Sequence, residues 1–435
     1  MDPAIIGFIG FALLFVLIAF GVPIGFSFIS VGFLGIVFLS DLNAAMSALA
    51  RIPFTWLTQY VFTCVPLFIL MGLVMANTGT AKDLFDVGYK WVGRVKGGLA
   101  MATTLGCAAF GAVCGSATAC AATMTTICHP EMKQKKYSDA LSTGTIAAGS
   151  GIGLMIPPSL AFIVYGIMTE ESIGRLFIAG ILPGIIQTAA FMIAIYIVVW
   201  MKPAHAPIME EERFTWTEKI ASLLKLWSVG VLFLVVIGGL YLGWCTANEA
   251  AAVGAAGALI VALVQRRLTW VNFKQSIIMT AGITAVVTIV VVGAMVFTVF
   301  LTLSGLPDRL SQILGYFQSP TVVVLLILLL YIPLGMVMDS VSMVVLTLPL
   351  YLPYLQASGV DLIWFGVLVC MLVQIGGISP PIGLNVFTVK AVAKEVPMGT
   401  IFWGALPFLI ANIVVTGLLI LFPWFSLVLP RLMMG

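Results

Sequence analysis

Charge is what this chain has least of. It carries 20 Lys+Arg and 17 Asp+Glu, 37 in all among 435 residues or 9%, while 61% of its residues are apolar. Soluble domains carry about 25% charged residues and about half apolar ones. A soluble globule, a disordered tail and a nucleic-acid binder are therefore excluded. Histidine is scarce too. His129 and His205 are the only two, and neither has an HExxH spacing or a Cys/His cluster beside it, which leaves no transition-metal motif. The seven cysteines (Cys64, Cys107, Cys114, Cys120, Cys128, Cys245 and Cys370) form an odd set inside apolar runs with no CxxC pair, so packing rather than a disulfide framework is expected of them. No GxxxxGK[ST] segment occurs, which removes the phosphate-cradling loop of nucleotide-driven pumps. No Ser/His, paired-Asp or metal constellation suggests an enzyme. Energy for any vectorial process must come from an ion gradient or a partner.

Hydrophobic length is what the chain has in abundance. At roughly 20 apolar residues per crossing, it has room for about ten to thirteen spans. The start, with Asp2 as its only charge, lacks the basic n-region of a cleaved signal, and the run continues through a Gly21-to-Pro23 turn into a second span. The crossings read as 4–20, 23–40, 56–77, 139–167, 176–200, 226–245, 249–265, 276–304, 362–389 and 399–428. The stretches 98–128 and 319–353 behave differently. Lys90, Arg94 and Lys96 precede the first, and Lys133, Lys135 and Lys136 follow it, so both flanks favour the cytoplasm. A re-entrant hairpin satisfies that, with Gly111 and Gly115 near its tip. A second hairpin over 319–353 places sixteen of the twenty basic residues inside, leaving Arg51, Arg175, Arg309 and Arg431 outside, and puts both termini outside.

The two halves of the chain match. Asn77-Thr78-Gly79 aligns with Leu303-Ser304-Gly305 at an offset of 226, Pro157-Pro158 with Pro380-Pro381 at 223, and Gly180 and Pro183 with Gly404 and Pro407 at 224. Residues 1–200 form a first repeat, 201–225 a cytoplasmic connection containing Glu210, Glu211, Glu212 and Trp216, and 226–435 a second repeat. Five crossings per half is an odd number, so the second copy must be inverted. Inverted repeats with helices broken at corresponding positions are the sequence mark of secondary transporters. The expected fold is thus an all-α polytopic membrane protein of two inverted repeats, about ten transmembrane helices and two re-entrant hairpins.

The breaks carry the chemistry. Gly149 to Ser159 and Gly376 to Asn385 each hold a glycine cluster followed by two prolines, which remove backbone donors and unwind a helix. Irregular backbone at that depth survives only when buried in protein or lining a wet cavity. Freed carbonyls suit a hard cation such as Na⁺, and the N-terminus of the second half-helix suits an anion. The hairpin tips add oxygens at Ser116 and Thr118 in the first and at Asp339 and Ser340 in the second. Asp339 is the only acid in its apolar stretch; it reads as an ion site or as a cap on backbone N–H groups. Thr246 to Glu249 reads as a capping box. Glu170 and Glu171 read as a solvated outer loop. Asp83 to Val92 and Asp308 to Phe317 read as amphipathic connectors at aligned positions (connectors 80–97 and 305–318).

Taken together, Pro66 to Gly72 with Asn77 to Gly79, Gly153 to Ser159, Tyr165 to Glu170, Leu176 to Gly180 with Pro183-Gly184, Thr246 to Ala252 and Gly377 to Gly383 resemble the large membrane (M) subunit of tripartite ATP-independent periplasmic (TRAP) transporters, over essentially the whole chain. The resemblance implies a multi-pass protein of the bacterial inner membrane performing Na⁺-coupled uptake of a small organic acid, commonly a carboxylate. It implies a periplasmic substrate-binding protein (P) and a small membrane subunit (Q), here expected as a separate chain, but no cofactor beyond Na⁺ as coupling ion. It also implies an elevator, with hairpins 98–128 and 319–353 and broken helices 139–167 and 362–389 moving against scaffold helices 4–40 and 226–265. Carried onto this sequence, one Na⁺ site would involve Gly115, Ser116, Gly151, Gly153 and Pro157. A second would involve Asp339, Ser340, Gly377, Ile378 and Pro380. The substrate carboxylate would lie near Thr118, Ser159, Ser342 and Asn385. A stand-alone Na⁺/carboxylate symporter without a binding protein is the alternative, and a channel is disfavoured by the paired hairpins.

Overall fold

The computed structural model describes residues 2–207, 214–317 and 319–433, and all regular structure among them is helical. The acidic triplet Glu210 to Glu212 lies outside the described residues. The first half runs α1 (Pro3–Ala19), α2 (Ile24–Leu39), α3 (Leu42–Leu57), α4 (Cys64–Asn77), α5 (Thr80–Val92), α6 (Gly98–Cys114), α7 (Ala117–Gln134), α8 (Asp139–Gly149), α9 (Leu160–Thr169) and α10 (Ile173–Met201). The connection contains a short helix, α11 (Trp216–Leu223). The second half runs α12 (Trp227–Tyr241), α13 (Ala247–Val264), α14 (Trp270–Ser304), α15 (Leu306–Gly315), α16 (Pro320–Gly335), α17 (Ser340–Ala357), α18 (Leu362–Ile378), α19 (Leu384–Val392), α20 (Met398–Leu421) and α21 (Trp424–Met433). The order of single helices, amphipathic connector, hairpin, broken helix and long helix is the same in both halves. Among the described residues, seven helices are long and apolar enough to cross a membrane.

The halves interlock rather than sit side by side. The second helix of each half packs along the membrane-crossing helix before the connector of the other, α2 on α14 and α13 on α4. Small residues permit the first contact. A Cβ on Gly25 would lie 2.5 Å from the Ile289 side chain, and one on Gly32 would lie 2.8 Å from the Phe297 backbone nitrogen. Close approach of small-residue stripes is how helices associate where lipid offers no hydrophobic drive.

Three features depart from the sequence reading. Helix α3 lies in a stretch to which no crossing was assigned. Asp41 caps it by accepting from the Ala44 N–H at 2.7 Å, and only Ala45 is buried along it, so its one-sided contact leaves no long apolar run to read. The segment α3–α4 occupies the same 226-residue offset as the single helix α14, so one repeat breaks where the other continues. The final crossing also divides, ending at Leu421 before Pro423 and resuming as α21.

The connectors are pinned at their roots. On α5, Asp83 pairs with Arg267, which also donates to the Thr78 carbonyl at 3.4 Å. On α15, Arg309 pairs with Asp2 at 2.6 Å. Each is the fourth residue of its helix, with the charge order reversed. The Ala4 N–H and Arg309 hold the Asp2 carboxyl below its ordinary range. Thr246 and Glu249 form the expected capping box on α13, and a second one joins Thr215 to Glu218. His129 is buried, its Nδ1 2.9 Å from Ser142 Oγ and its Nε2 3.3 Å from Glu395, so it fastens α7 to α8 and to the turn before α20.

Both ion pairs require their partners to share a membrane side, and the basic-residue distribution says which side. With the partly exposed native thiols Cys114 and Cys245 replaced by alanine, Gln134→Cys at the end of α7 should react in intact cells only with membrane-permeant maleimide. Gln356→Cys at the end of α17 should react with an impermeant one. Labelling of Gln134→Cys by the impermeant reagent would invert the topology.

Candidate functional site

The two breaks form as proline chemistry requires. Helix α8 tightens into a 3₁₀ turn over Ser150–Leu154 and gives way before α9. Pro157 and Pro158 have no N–H, so the Gly153 and Leu154 carbonyls lose their i+4 donors. Helix α18 ends at Ile378, and Pro381 likewise deprives the Gly377 carbonyl. Both Pro–Pro bonds are cis. The second break closes through Gly383, whose φ of +63° favours glycine. The breaks differ in surroundings: Pro157 and Pro158 are buried, whereas Pro380 and Pro381 are exposed.

Each hairpin tip is a helix end, a turn and a capped helix start. Gly115 (φ +64°) ends α6, and Ser116 caps α7, accepting from the Ala119 N–H at 3.4 Å. In the second hairpin Asp339 caps α17 by accepting from Val341 N–H at 3.1 Å and Ser342 N–H at 3.4 Å, and the Ser342 hydroxyl donates to it as well. The capping role of Asp339 is thus present, and its side chain remains exposed. Each hairpin lies backbone to backbone on a broken helix. A Cβ on Gly153 would fall 2.4 Å from Gly111 Cα, and one on Gly376 would fall 2.6 Å from Gly335 Cα. These two glycine pairs stand at matching repeat positions.

Tips and breaks together enclose a cavity of about 610 Å³. Of the residues proposed from sequence, Gly115, Ser116, Thr118, Asp339, Ser340, Gly377 and Asn385 line it. Ser342 reaches it through its bond to Asp339. Ser159 caps α9 in position only: it is fully buried and its Oγ has no partner among the described residues. Gly151 and Gly153 lie behind the lining, against Gln374 and Gly111. Pro157 faces a separate apolar cavity, Ile378 is buried in packing, and Pro380 is exposed.

The electrostatics of the cavity come from helix ends. The first residues of four helices line it: Ala117 of α7, Leu160 of α9, Ser340 of α17 and Leu384 of α19. So do the ends Asn77 of α4, Cys114 of α6, Leu154 of the 3₁₀ turn, Gly335 of α16 and, one residue short of its end, Gly377 of α18. The starts present N–H groups and positive dipole ends; the ends present carbonyls. No Lys or Arg is among the described residues that line it.

A buried amide cluster went unseen in the sequence. Gln187 of α10 donates through Nε2 to Gln374 Oε1 and, at 2.6 Å, to Asn412 Oδ1 of α20. All three residues are buried, and Gln374 also lines the cavity. Its repeat-equivalent is Gly151, whose missing side chain leaves room for it. Isolated glutamines in apolar helices carry no spacing signal, but charge-free amides on three crossings were a hint that they converge.

The family described as "Tripartite ATP-independent periplasmic transporter, DctM component" matches residues 11–425. The sialic acid TRAP transporter large permease protein SiaM of Vibrio cholerae is 32% identical, covering 95% of this chain and 96% of its own. The C4-dicarboxylate TRAP transporter large permease protein DctM of Pseudomonas aeruginosa is 33% identical over 86% and 87%. The ectoine TRAP transporter large permease protein TeaC of Halomonas elongata is 33% identical over 85% and 86%. Among solved structures, the Alcanivorax borkumensis YdaH transporter, reported as having an unusual topology, superposes with a TM-score of 0.65 at 14% identity, covering 98% of this chain and 99% of that one. That likeness concerns the fold.

Gln187 is the hub of the amide cluster, so Gln187→Leu removes both of its bonds and strands two buried amides. The expected cost is about 1–3 kcal/mol, read as a lowered thermal midpoint of the purified protein. An unchanged midpoint would mean that the cluster does not hold α10, α18 and α20 together.

Proposed function

The chain belongs to the DctM component family of tripartite ATP-independent periplasmic transporters, as their large membrane subunit in the bacterial inner membrane, and from that premise we propose that it carries a small organic acid inward, coupled to Na⁺, by an elevator motion. The observation that carries this reading is the cavity built from four helix starts and five helix ends, with no lysine or arginine among the described residues that line it. A carboxylate held there must be stabilised by N–H groups, helix dipoles and co-bound cations. A cation held there must be coordinated by carbonyls, hydroxyls and Asp339. Each ligand supplies the charge the other lacks, which is the physical basis of coupling.

In this reading the first Na⁺ sits at the Gly115-Ser116 tip beside the unwound Gly151 to Pro157. The second sits between Asp339-Ser340 and Gly377 to Pro380. The substrate carboxylate lies between them, near Thr118, Ser159, Ser342 and Asn385, with Gln374 at the edge. Asn385, whose amide nitrogen would lie 3.3 Å from a Cβ on Gly377, links the second ion to the substrate. The relatives are named for sialic acid, C4-dicarboxylates and ectoine at nearly equal identity, so none of these is singled out here. A dipole-based carboxylate site accommodates all three classes. A periplasmic binding protein would deliver the acid, and a small membrane subunit would complete the complex. The two hairpins and broken helices would move as one body, with pinned roots at Asp83 and Arg309 keeping the connectors attached to the helices that stay fixed.

Asp339→Asn removes a charge but keeps the shape and part of the cap. In proteoliposomes with binding protein and small subunit present, half-maximal Na⁺ should rise at least roughly tenfold, since a charge-assisted ligand contributes about 1.5–3 kcal/mol. Complex assembly should persist. Unaltered Na⁺ dependence would leave Asp339 as a cap alone.

A further inference from the structure

Two apolar cavities lie at repeat-related seams between the two halves. One, about 600 Å³, is bounded by Leu84 of α5, Ala109 of α6, Pro158, Ile185 of α10 and Gly230 and Phe233 of α12. The other, about 510 Å³, is bounded by Phe8 and Phe15 of α1, Leu310 of α15, Leu330 of α16 and Tyr351 of α17. In repeat terms each lies between the first helix of one half and the amphipathic connector and hairpin of the other. Neither belongs to the acid-binding cavity.

Their lining decides what can enter. The hydroxyl of Thr188 in the first is bonded to the Gly184 carbonyl at 2.7 Å. In the second, Tyr331 and Thr347 are bonded at 2.6 Å, and Thr347 and Tyr351 at 3.1 Å. Side-chain polar groups are thus already satisfied. A buried water needs two to four polar partners, and an organic acid needs more, so neither is retained. The mouths are apolar and open: Ile185 is 56% exposed at one, Phe8 53% and Leu330 63% at the other. The helices of the first mouth carry further exposed apolar residues, Ile193 and Ile197 on α10 and Leu234 and Val235 on α12. Trp227, beside the lining residue Leu226, sets the headgroup level at the first mouth. An apolar void in contact with liquid hydrocarbon loses dispersion contacts if left empty.

We propose that each cavity seats a hydrocarbon chain of a membrane phospholipid, one in each leaflet because the halves are inverted. The chain fills the seam between the first helix of one half and the hairpin of the other. If the hairpins slide, as the transport reading holds, the seam changes shape and the lipid must follow or leave. Chain occupancy then sets the ease of sliding. Occupancy itself does not rest on that reading.

Gly230 permits a direct test, because a Cβ there meets nothing within 4 Å. Gly238 on the same helix is equally open but does not line the cavity. Native mass spectrometry of the purified complex, reconstituted with phosphatidylglycerol before detergent extraction, counts retained lipids. Gly230→Trp should retain one phospholipid fewer than Gly238→Trp and the parent. In proteoliposomes its uptake rate should differ from both, an effect that fails separately if the sliding reading is wrong. Equal lipid counts in both variants would overturn the proposal. So would loss of the small membrane subunit from Gly230→Trp at an unchanged lipid count, since the seam would then seat a protein helix.

Discussion

Opposite charges can be bound inside a membrane protein without placing formal charges there, provided helices begin and end at the binding point. Here four begin and five end around one cavity, with Asp339 the one acid at a tip among the described residues. Unpaired N–H and C=O groups at helix termini would be costly in hydrocarbon. Facing one another across a polar cavity, they become its walls. The hairpins and breaks exist in pairs because each supplies only half of such a wall.

That arrangement demands close backbone contact, and two glycine pairs provide it. Gly111 on Gly153 and Gly335 on Gly376 let each hairpin lie directly on a broken helix. Any side chain at these points would lift a tip from its break and open the wall. Behind them, the Gln187–Gln374–Asn412 cluster joins α10, α18 and α20, so both breaks rest on a common polar spine. The packing of α2 on α14 is organised differently, through small residues, and ion pairs at Asp83 and Arg309 pin the roots of the two connectors.

The repeats are equivalent in order but not in detail. One divides into α3 and α4 where the other continues as α14, and one break is buried where the other is exposed. Two inverted copies in the same state would present both sides of the membrane alike. The difference in exposure between the breaks is what the proposed alternating access requires.

Much of this was legible in the chain because it depends on local rules. Scarce charge pointed to lipid as the solvent, and Pro–Pro after glycine located both breaks, since a missing N–H unwinds a helix wherever it occurs. The tip residues Ser116 and Asp339 were legible for the same reason: cap positions are set by neighbours in sequence. What only tertiary structure decided is which groups meet across the fold. Gln187 reaches Gln374 and Asn412 over separations of 187 and 225 residues, Pro157 faces a dry seam rather than the cavity between the hairpin tips, and α3 packs on one side only, against α2 and α14. These depend on long-range packing in a bilayer, where hydrophobicity no longer separates inside from outside, so the pattern of apolar residues carries no record of them.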